Sequence, residues 1–361
     1  MKWTKIAFLS SLIFFIGCDA SNNANTNDAP NNVDQAESQT DNKKSRKDVR
    51  IAFYNVENLF DPADDPNKPD EEFTPKGKNK WTIDRYEKKL KQLGKVINTM
   101  ELPTFIGLCE VENKKVVVDL AANEALADGH YDIAHVESND YRGIDVALLY
   151  NKNRFTVESV ENKVLSFPRR ITNGQNYTSR DLFHVTGQLD DGETLHIFVN
   201  HWPSRRGGLK ASEPKRTFVA GKLRQMIDKV QADDKDARII IMGDFNDETD
   251  NKSITKVLKA VAKDSDTPNE LVNCFAAQDA KDEGSYNYRG TWNMLDQIIL
   301  SDNFFDSNSA LQYESSTIFK EDFIMYKDSR NGPSPSRTYG GPNYYGGFSD
   351  HLPVYIDIDA K

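Results

Sequence analysis

The chain is poor in cysteine: three in 361 residues are too few for a disulfide-stapled scaffold and exclude a four-cysteine zinc site. It has no glycine-rich phosphate loop, no serine nucleophile elbow and no C-x-x-C pair. Nucleoside triphosphate binding and covalent serine catalysis are therefore poor readings. A mean hydropathy of −0.67 excludes a polytopic membrane protein. Positive charge is also short, with a net −10, which argues weakly against a protein that coats nucleic acid through overall charge. It leaves room for basic groups focused in one groove.

What is present begins with an address. Lys2 and Lys5 precede an apolar run from Ile6 to Ile16, followed by Gly17 and Cys18. A bilayer crossing needs ~20 residues, so this run is too short to span one, and the layout is that of an export signal. Cys18 after Phe15-Ile16-Gly17 resembles a bacterial lipobox, with Phe15 where leucine is usual, and predicts acylation of Cys18. Residues 18–48 read as a disordered tether, since the stretch 19–48 holds seven asparagines and no aromatic residue. The expected organisation is a lipoprotein signal at 1–17, the tether at 18–48 and one catalytic domain at 49–361. With Cys18 acylated, Cys109 and Cys274 either pair or stay free.

From residue 49 the texture becomes that of a packed domain. Strands are expected at 49–54, 104–111, 131–137, 144–150, 155–160, 182–189, 194–200, 238–243, 295–300 and 353–358. Helical spacing predicts helices at 84–100, 114–127 and 214–232. Hairpin-like pairs outnumber βαβ units, so the reading is a mixed, layered α/β fold rather than a doubly wound sheet.

Polar residues then interrupt or end these apolar strands. Asn55 ends the first, in FYNVENLFD, and Glu110 sits near the end of FIGLCEVEN. Asn200 and His201 close LHIFVNHWPSR, and Asp244 and Asn246 close IIIMGDFND. Asp296 lies in NMLDQIIL, and Asp350 and His351 precede the last strand in GFSDHLPVY. One such residue is usually a cap. If the strands lie side by side, the whole set converges on one edge and offers oxygen ligands that suit Mg²⁺, Mn²⁺ or Ca²⁺.

These motifs, in this order, resemble the endonuclease/exonuclease/phosphatase superfamily over about residues 49–359. The carrying blocks are YNVENLF, GLCEVEN, YRGIDVALLY, SRDLFHV, FVNHWPSR, MGDFND, LDQIIL and SDHLPV. The resemblance implies a four-layer α/β sandwich of two mixed β-sheets flanked by helices, as in DNase I-like proteins, and metal-assisted attack of water on a phosphate ester. It implies Glu110 as principal metal ligand, with Asn55 and Asp350 beside it. Asp244 would orient or deprotonate the water, Asn246 would hold the scissile phosphate, and His351, oriented by Asp296, would contact a phosphate oxygen or move a proton. His201 would protonate the leaving group, Arg180 would bind phosphate, and Asn200 would orient His201 or line the site. Glu57 is either a cap or a second-metal ligand. Cys109 departs from the glutamine common before the metal glutamate and reads as a structural thiol.

The expected substrate is DNA, with a lipid head-group, inositol or sugar phosphate as the alternative and Mg²⁺ as cofactor. Basic residues cluster in loops: Arg205, Arg206, Lys210, Lys215 and Arg216 after His201, Arg169 and Arg170, and Lys76, Lys78 and Lys80. They read either as ordinary surface or as a rim for flanking phosphates. The Tyr- and Gly-rich loop 328–348 is expected to be a rim element that either stacks on bases or is plain surface. A non-enzymatic binding module is disfavoured because every catalytic position is filled. The expected protein is a monomer, exported and anchored to a bacterial membrane.

Overall fold

The computed structural model describes residues 48–263, 271–328 and 331–361. The expected signal at 1–17 and all of the tether except Asp48 lie outside them. Two sheets dominate. The first runs β14 (Leu311–Ile318), β19 (Val354–Ala360), β1 (Val49–Leu59), β2 (Phe105–Val111), β4 (Asp145–Asn151), β3 (Tyr131–His135). The second runs β5 (Phe155–Lys163), β6 (Leu182–Leu189), β7 (Thr194–His201), β8 (Arg238–Asp244), β13 (Asp296–Leu300), β10 (Leu271–Asn273), β9 (Ala260–Ala262). Three hairpins stand apart: β11 (Tyr286–Tyr288) with β12 (Thr291–Asn293), β15 (Met325–Asp328) with β16 (Gly332–Pro335), and β17 (Tyr339–Gly340) with β18 (Asn343–Tyr344).

The near-continuous apolar strands follow from burial on both faces. In β1, Ile51 and Phe53 enter the core between the sheets, together with Ile240 and Met242 of β8. Ala52 and Tyr54 face the other way, toward Leu93, Val96 and Ile97 of α1 (Ile83–Thr99) and Val116 of α2 (Lys114–Ala121). On the second sheet, Phe198, Ile239 and Ile241 pack against Val219, Leu223 and Ile227 of α3 (Leu209–Asp233). The order helix, sheet, sheet, helix is the expected four-layer sandwich. Among the described residues, no helix is long and apolar enough to cross a membrane.

Boundaries differ where local rules lost to packing. α3 begins five residues before Pro214 rather than at it. Arg216 holds that first stretch: it is fully buried, its Nε is 2.6 Å from Asp247, and Nη1 donates to Ser212 at 2.7 Å. α2 stops at Ala121, because Asn123 caps a separate 3₁₀ turn at Glu124–Gly129 by accepting the Ala125 N–H at 3.0 Å. β14 is a strand that the sequence pattern does not predict.

Candidate active site

Strand register assembles the site. β1 and β2 run parallel, so Asn55 and Glu110 arrive at the same end. β7 and β8 are also parallel and pair His201 with Asp244, while antiparallel β13 pairs Asp296 with Asp244. One row across the second sheet therefore reads His201, Asp244, Asp296. Val354 of β19 pairs with Phe53 of β1, which brings Asp350 and His351, just before β19, to the same edge.

The backbone bends sharply at this edge. Glu57, Asn58, Glu110 and Asn246 have φ of 49°, 52°, 62° and 51°. Non-glycine residues seldom adopt these values, and such strain concentrates at functional sites. The first three accompany shifts in the register of β1 with β2 and of β2 with β4.

Asp244 sits at the centre. Asn55 Nδ2 donates to Asp244 Oδ2 at 3.1 Å and lies 3.4 Å from Glu110 Oε1. His201 Nε2 is 3.6 Å from Asp244 and 4.0 Å from Glu110, and His351 Nε2 is 4.0 Å from Asp244. His351 Nδ1 bonds Asp296 Oδ2 at 2.6 Å, and Ser285 Oγ donates to the same oxygen at 2.5 Å. Asp296 therefore stands where it can fix the orientation of the His351 ring.

The two histidines differ in charge. Burial opposes charge on His351, but Asp296, Asp244 and Asp350 overcome it and hold the imidazolium well above its usual range. His201 is driven well below its range by burial, then by Arg180, Arg142 and His351. The depressed His201 does not favour the leaving-group acid role expected of it, whereas the raised His351 favours that role. Asp244 is pushed up to about 7, chiefly by burial, with His351 opposing and Asp296 adding to the rise.

Three further expectations are corrected. Asn55 does not aim an oxygen at a metal: its Oδ1 accepts the Glu57 N–H at 3.0 Å, so its amide nitrogen faces the carboxylates and bridges them. Arg180 is buried, giving Nε to His201 O, Nη1 to Asp140 and Nη2 to Trp202 O. It braces the His201–Trp202 backbone instead of meeting substrate. Asn200 points into the fold, where Oδ1 accepts from Trp202 Nε1 at 3.3 Å. Of the expected basic rim, Arg205 is engaged with Asn246 O and Asn293, and Arg216 is internal, whereas Arg206 and Lys210 are exposed.

Sequence reasoning missed Arg142, although it lies inside YRGIDVALLY. Its side chain is 43% exposed, is paired with Asp140 at 3.0 Å, and its charge acts on both Glu110 and His201. It also missed the use of Glu57, which is neither helix cap nor metal ligand. Glu57 accepts the N–H groups of Thr338 and Tyr339 at 2.6 and 3.1 Å, and buried Lys89 holds Thr338 Oγ1 and Phe348 O. This pair seats the segment that leads to Asp350 and His351. Cys109 and Cys274 are both free and buried, so they do not pair.

The donor set fits a divalent cation. Burial raises Glu110, and the neighbouring Asp350 charge raises it further. Asp350 itself meets only Arg337 Nη2, at 3.4 Å, among the described residues. Glu110 and Asp350 are the carboxylates expected to hold the ion, and Asp244 with Asp296 and His351 gives a second group of ligand atoms within 4.8 Å of one another. Burial, then Asp244 and Glu110, raise the Cys109 thiol well above its usual range, and its sulfur lies with His201 and Asp244 in a group of three possible ligand atoms within 4.8 Å of one another.

The profile of the Endonuclease/Exonuclease/phosphatase family matches residues 50–360, and the chain belongs to that family. It is accordingly a hydrolase acting on phosphate esters, in a family whose members generally depend on divalent metals. No curated protein matches the sequence. Solved structures share the fold. An endonuclease/exonuclease/phosphatase family protein from Bacteroides thetaiotaomicron is 15% identical with a TM-score of 0.55, over 87% of this chain and 98% of that one. The mannosyl-6-phosphatase Bt3783 of Bacteroides thetaiotaomicron is 16% identical with a TM-score of 0.53, over 86% and 99%. A humanized D. rerio TDP2 is 15% identical with a TM-score of 0.53, over 86% and 99%.

Proposed function

We propose that this chain is an exported nuclease that hydrolyses DNA phosphodiester bonds with Mg²⁺, carried on a bacterial membrane by lipidated Cys18 and acting as a monomer. The observation that carries the DNA reading is the β11–β12 hairpin. Its Tyr286 bridges to His351 and packs its ring 4.8 Å from the imidazole. Its tip exposes Tyr288, 55% accessible, with the Arg289 guanidinium over its ring. An arm that leaves the catalytic histidine carrying exposed aromatic and cationic groups suits a substrate with bases and phosphates beyond the scissile one. Arg142, with exposed Tyr141 beside it, adds a second contact of the same kind.

A divalent ion held by Glu110 and Asp350 would neutralise phosphate oxygens and the charge growing on the leaving oxygen. Asp244 orients the attacking water and takes its proton, a role suited to a carboxyl held near 7. The His351 imidazolium, fixed through Nδ1 by Asp296, presents Nε2 as donor and acid. Asn246 spends one amide N–H on Trp202 O at 3.2 Å and keeps the other for the phosphate. Neutral His201 donates a hydrogen bond, and Arg142 binds a phosphate oxygen.

The second reading, a phosphatase of a head-group or sugar phosphate, is favoured by the likeness to the mannosyl-6-phosphatase and by the net charge of −10. Supercoiled plasmid, sphingomyelin, an inositol polyphosphate and a generic phosphomonoester, assayed side by side with Mg²⁺, separate the two. Plasmid nicking that vanishes in Glu110→Ala is expected. Turnover of a small phosphoester without nicking would reject the nuclease reading.

A further inference from the structure

Away from the Glu110 cluster, His135, Glu137 and Asp145 bring three ligand atoms within 4.8 Å of one another. His135 ends β3 and Asp145 opens β4, and the antiparallel pairing of these strands sets them on adjoining strands of the sheet. Both side chains are buried, at 2% and 1% exposure, with His135 Nε2 3.2 Å from Asp145 Oδ2. The other Asp145 oxygen accepts the Ser138 N–H at 2.8 Å. Glu137 closes the group from its solvent edge.

The chemistry of this group is unbalanced. Two carboxylates and one imidazole meet, and among the described residues neither carboxylate has a Lys or Arg within ion-pair distance. Burial and the Asp145 charge push Glu137 upward, against the weaker pull of His135 and Lys68. His135 Nε2 and Asp145 Oδ2 meet at hydrogen-bond distance, 3.2 Å, so two of the three ligand atoms already stand side by side. The segment between the strands, residues 136–144, carries Asp140 and Arg142.

We propose that His135, Glu137 and Asp145 form a second divalent-cation site, independent of Glu110 and Asp350, that ties down the loop bearing Arg142. One imidazole nitrogen beside carboxylate oxygens suits Zn²⁺ better than the all-oxygen preference of Mg²⁺ or Ca²⁺. The site closes the hairpin end and fixes where the Arg142–Asp140 pair stands.

The test uses the full chain carrying Glu110→Gln, so that the catalytic carboxylate is removed. It is stripped with a chelator, reloaded with Zn²⁺, and compared with Glu110→Gln/Glu137→Gln by elemental analysis and by melting. Glu137 is at the surface, so its substitution leaves the fold intact, and His135→Gln serves as a second variant. One equivalent of Zn²⁺ and a zinc-dependent rise in Tm are expected in Glu110→Gln, and both are expected to be lost on adding Glu137→Gln. Equal zinc content and equal Tm shift in the two proteins, or no bound zinc in Glu110→Gln, would overturn the proposal.

Discussion

Replacing Asp296 by asparagine changes one charge and almost no volume. Asp296 is fully buried, and its Oδ2 receives both Ser285 Oγ at 2.5 Å and His351 Nδ1 at 2.6 Å. The amide keeps the packing and loses the anion that stabilises the imidazolium. A charge-assisted hydrogen bond is worth about 1.5–3 kcal/mol, which converts to roughly a 10- to 150-fold loss of kcat/KM. The pH profile gives the sharper readout. Asp296 helps to raise His351, so without it the His351 pKa falls and the alkaline limb of kcat/KM moves to lower pH. Steady-state kinetics between pH 5 and 10, with circular dichroism to confirm folding, measures both. An alkaline limb in its original place, with activity within twofold of the parent, would refute the Asp296–His351 account.

Lys89→Met removes the charge that favours ionised Glu57 and the donor to Thr338 Oγ1 and Phe348 O, and should cost roughly 1–3 kcal/mol in urea unfolding. Glu57→Gln added to it should recover more than half of that loss, and a single-variant cost under 1 kcal/mol would contradict the clamp. Arg142→Ala should raise KM about tenfold with a smaller change in kcat, as follows from the proposed contact of this half-exposed guanidinium with the substrate's phosphate. A fall in kcat at constant KM would instead place Arg142 in the chemical step.

The strands and the site edge were legible because their signals are local. Ile240 and Met242 alternate with Ile239 and Ile241 in an apolar run that reads as a doubly covered strand, and the polar residue that ends such a run marks the sheet edge. β14 was not legible: LQYESSTI is polar and only partly buried, and it is held by pairing with β19, which lies far along the chain. The roles of Arg180 and Asn200 failed for another reason. Sequence places a residue at an edge but does not tell whether its side chain turns toward substrate or braces the backbone behind it. The Glu57 contact to Thr338 spans 281 residues and leaves no local trace. Arg142 has a trace, since it precedes Gly143 and the apolar strand, but its pairing with Asp140 is a side-chain contact that the sequence does not display.

The central claim is that Glu110 anchors a metal-dependent phosphoesterase site. Its most direct test is phosphate-ester hydrolysis by the parent and Glu110→Gln, each with Mg²⁺ and with EDTA. The parent should lose activity in EDTA and regain it with Mg²⁺ or Mn²⁺. Glu110→Gln should fall by about 10³-fold or more while melting at the parent's temperature, comparable to removing a key electrostatic group from other catalytic sites. Hydrolysis that resists EDTA, or a Glu110→Gln variant within tenfold of the parent, would contradict it.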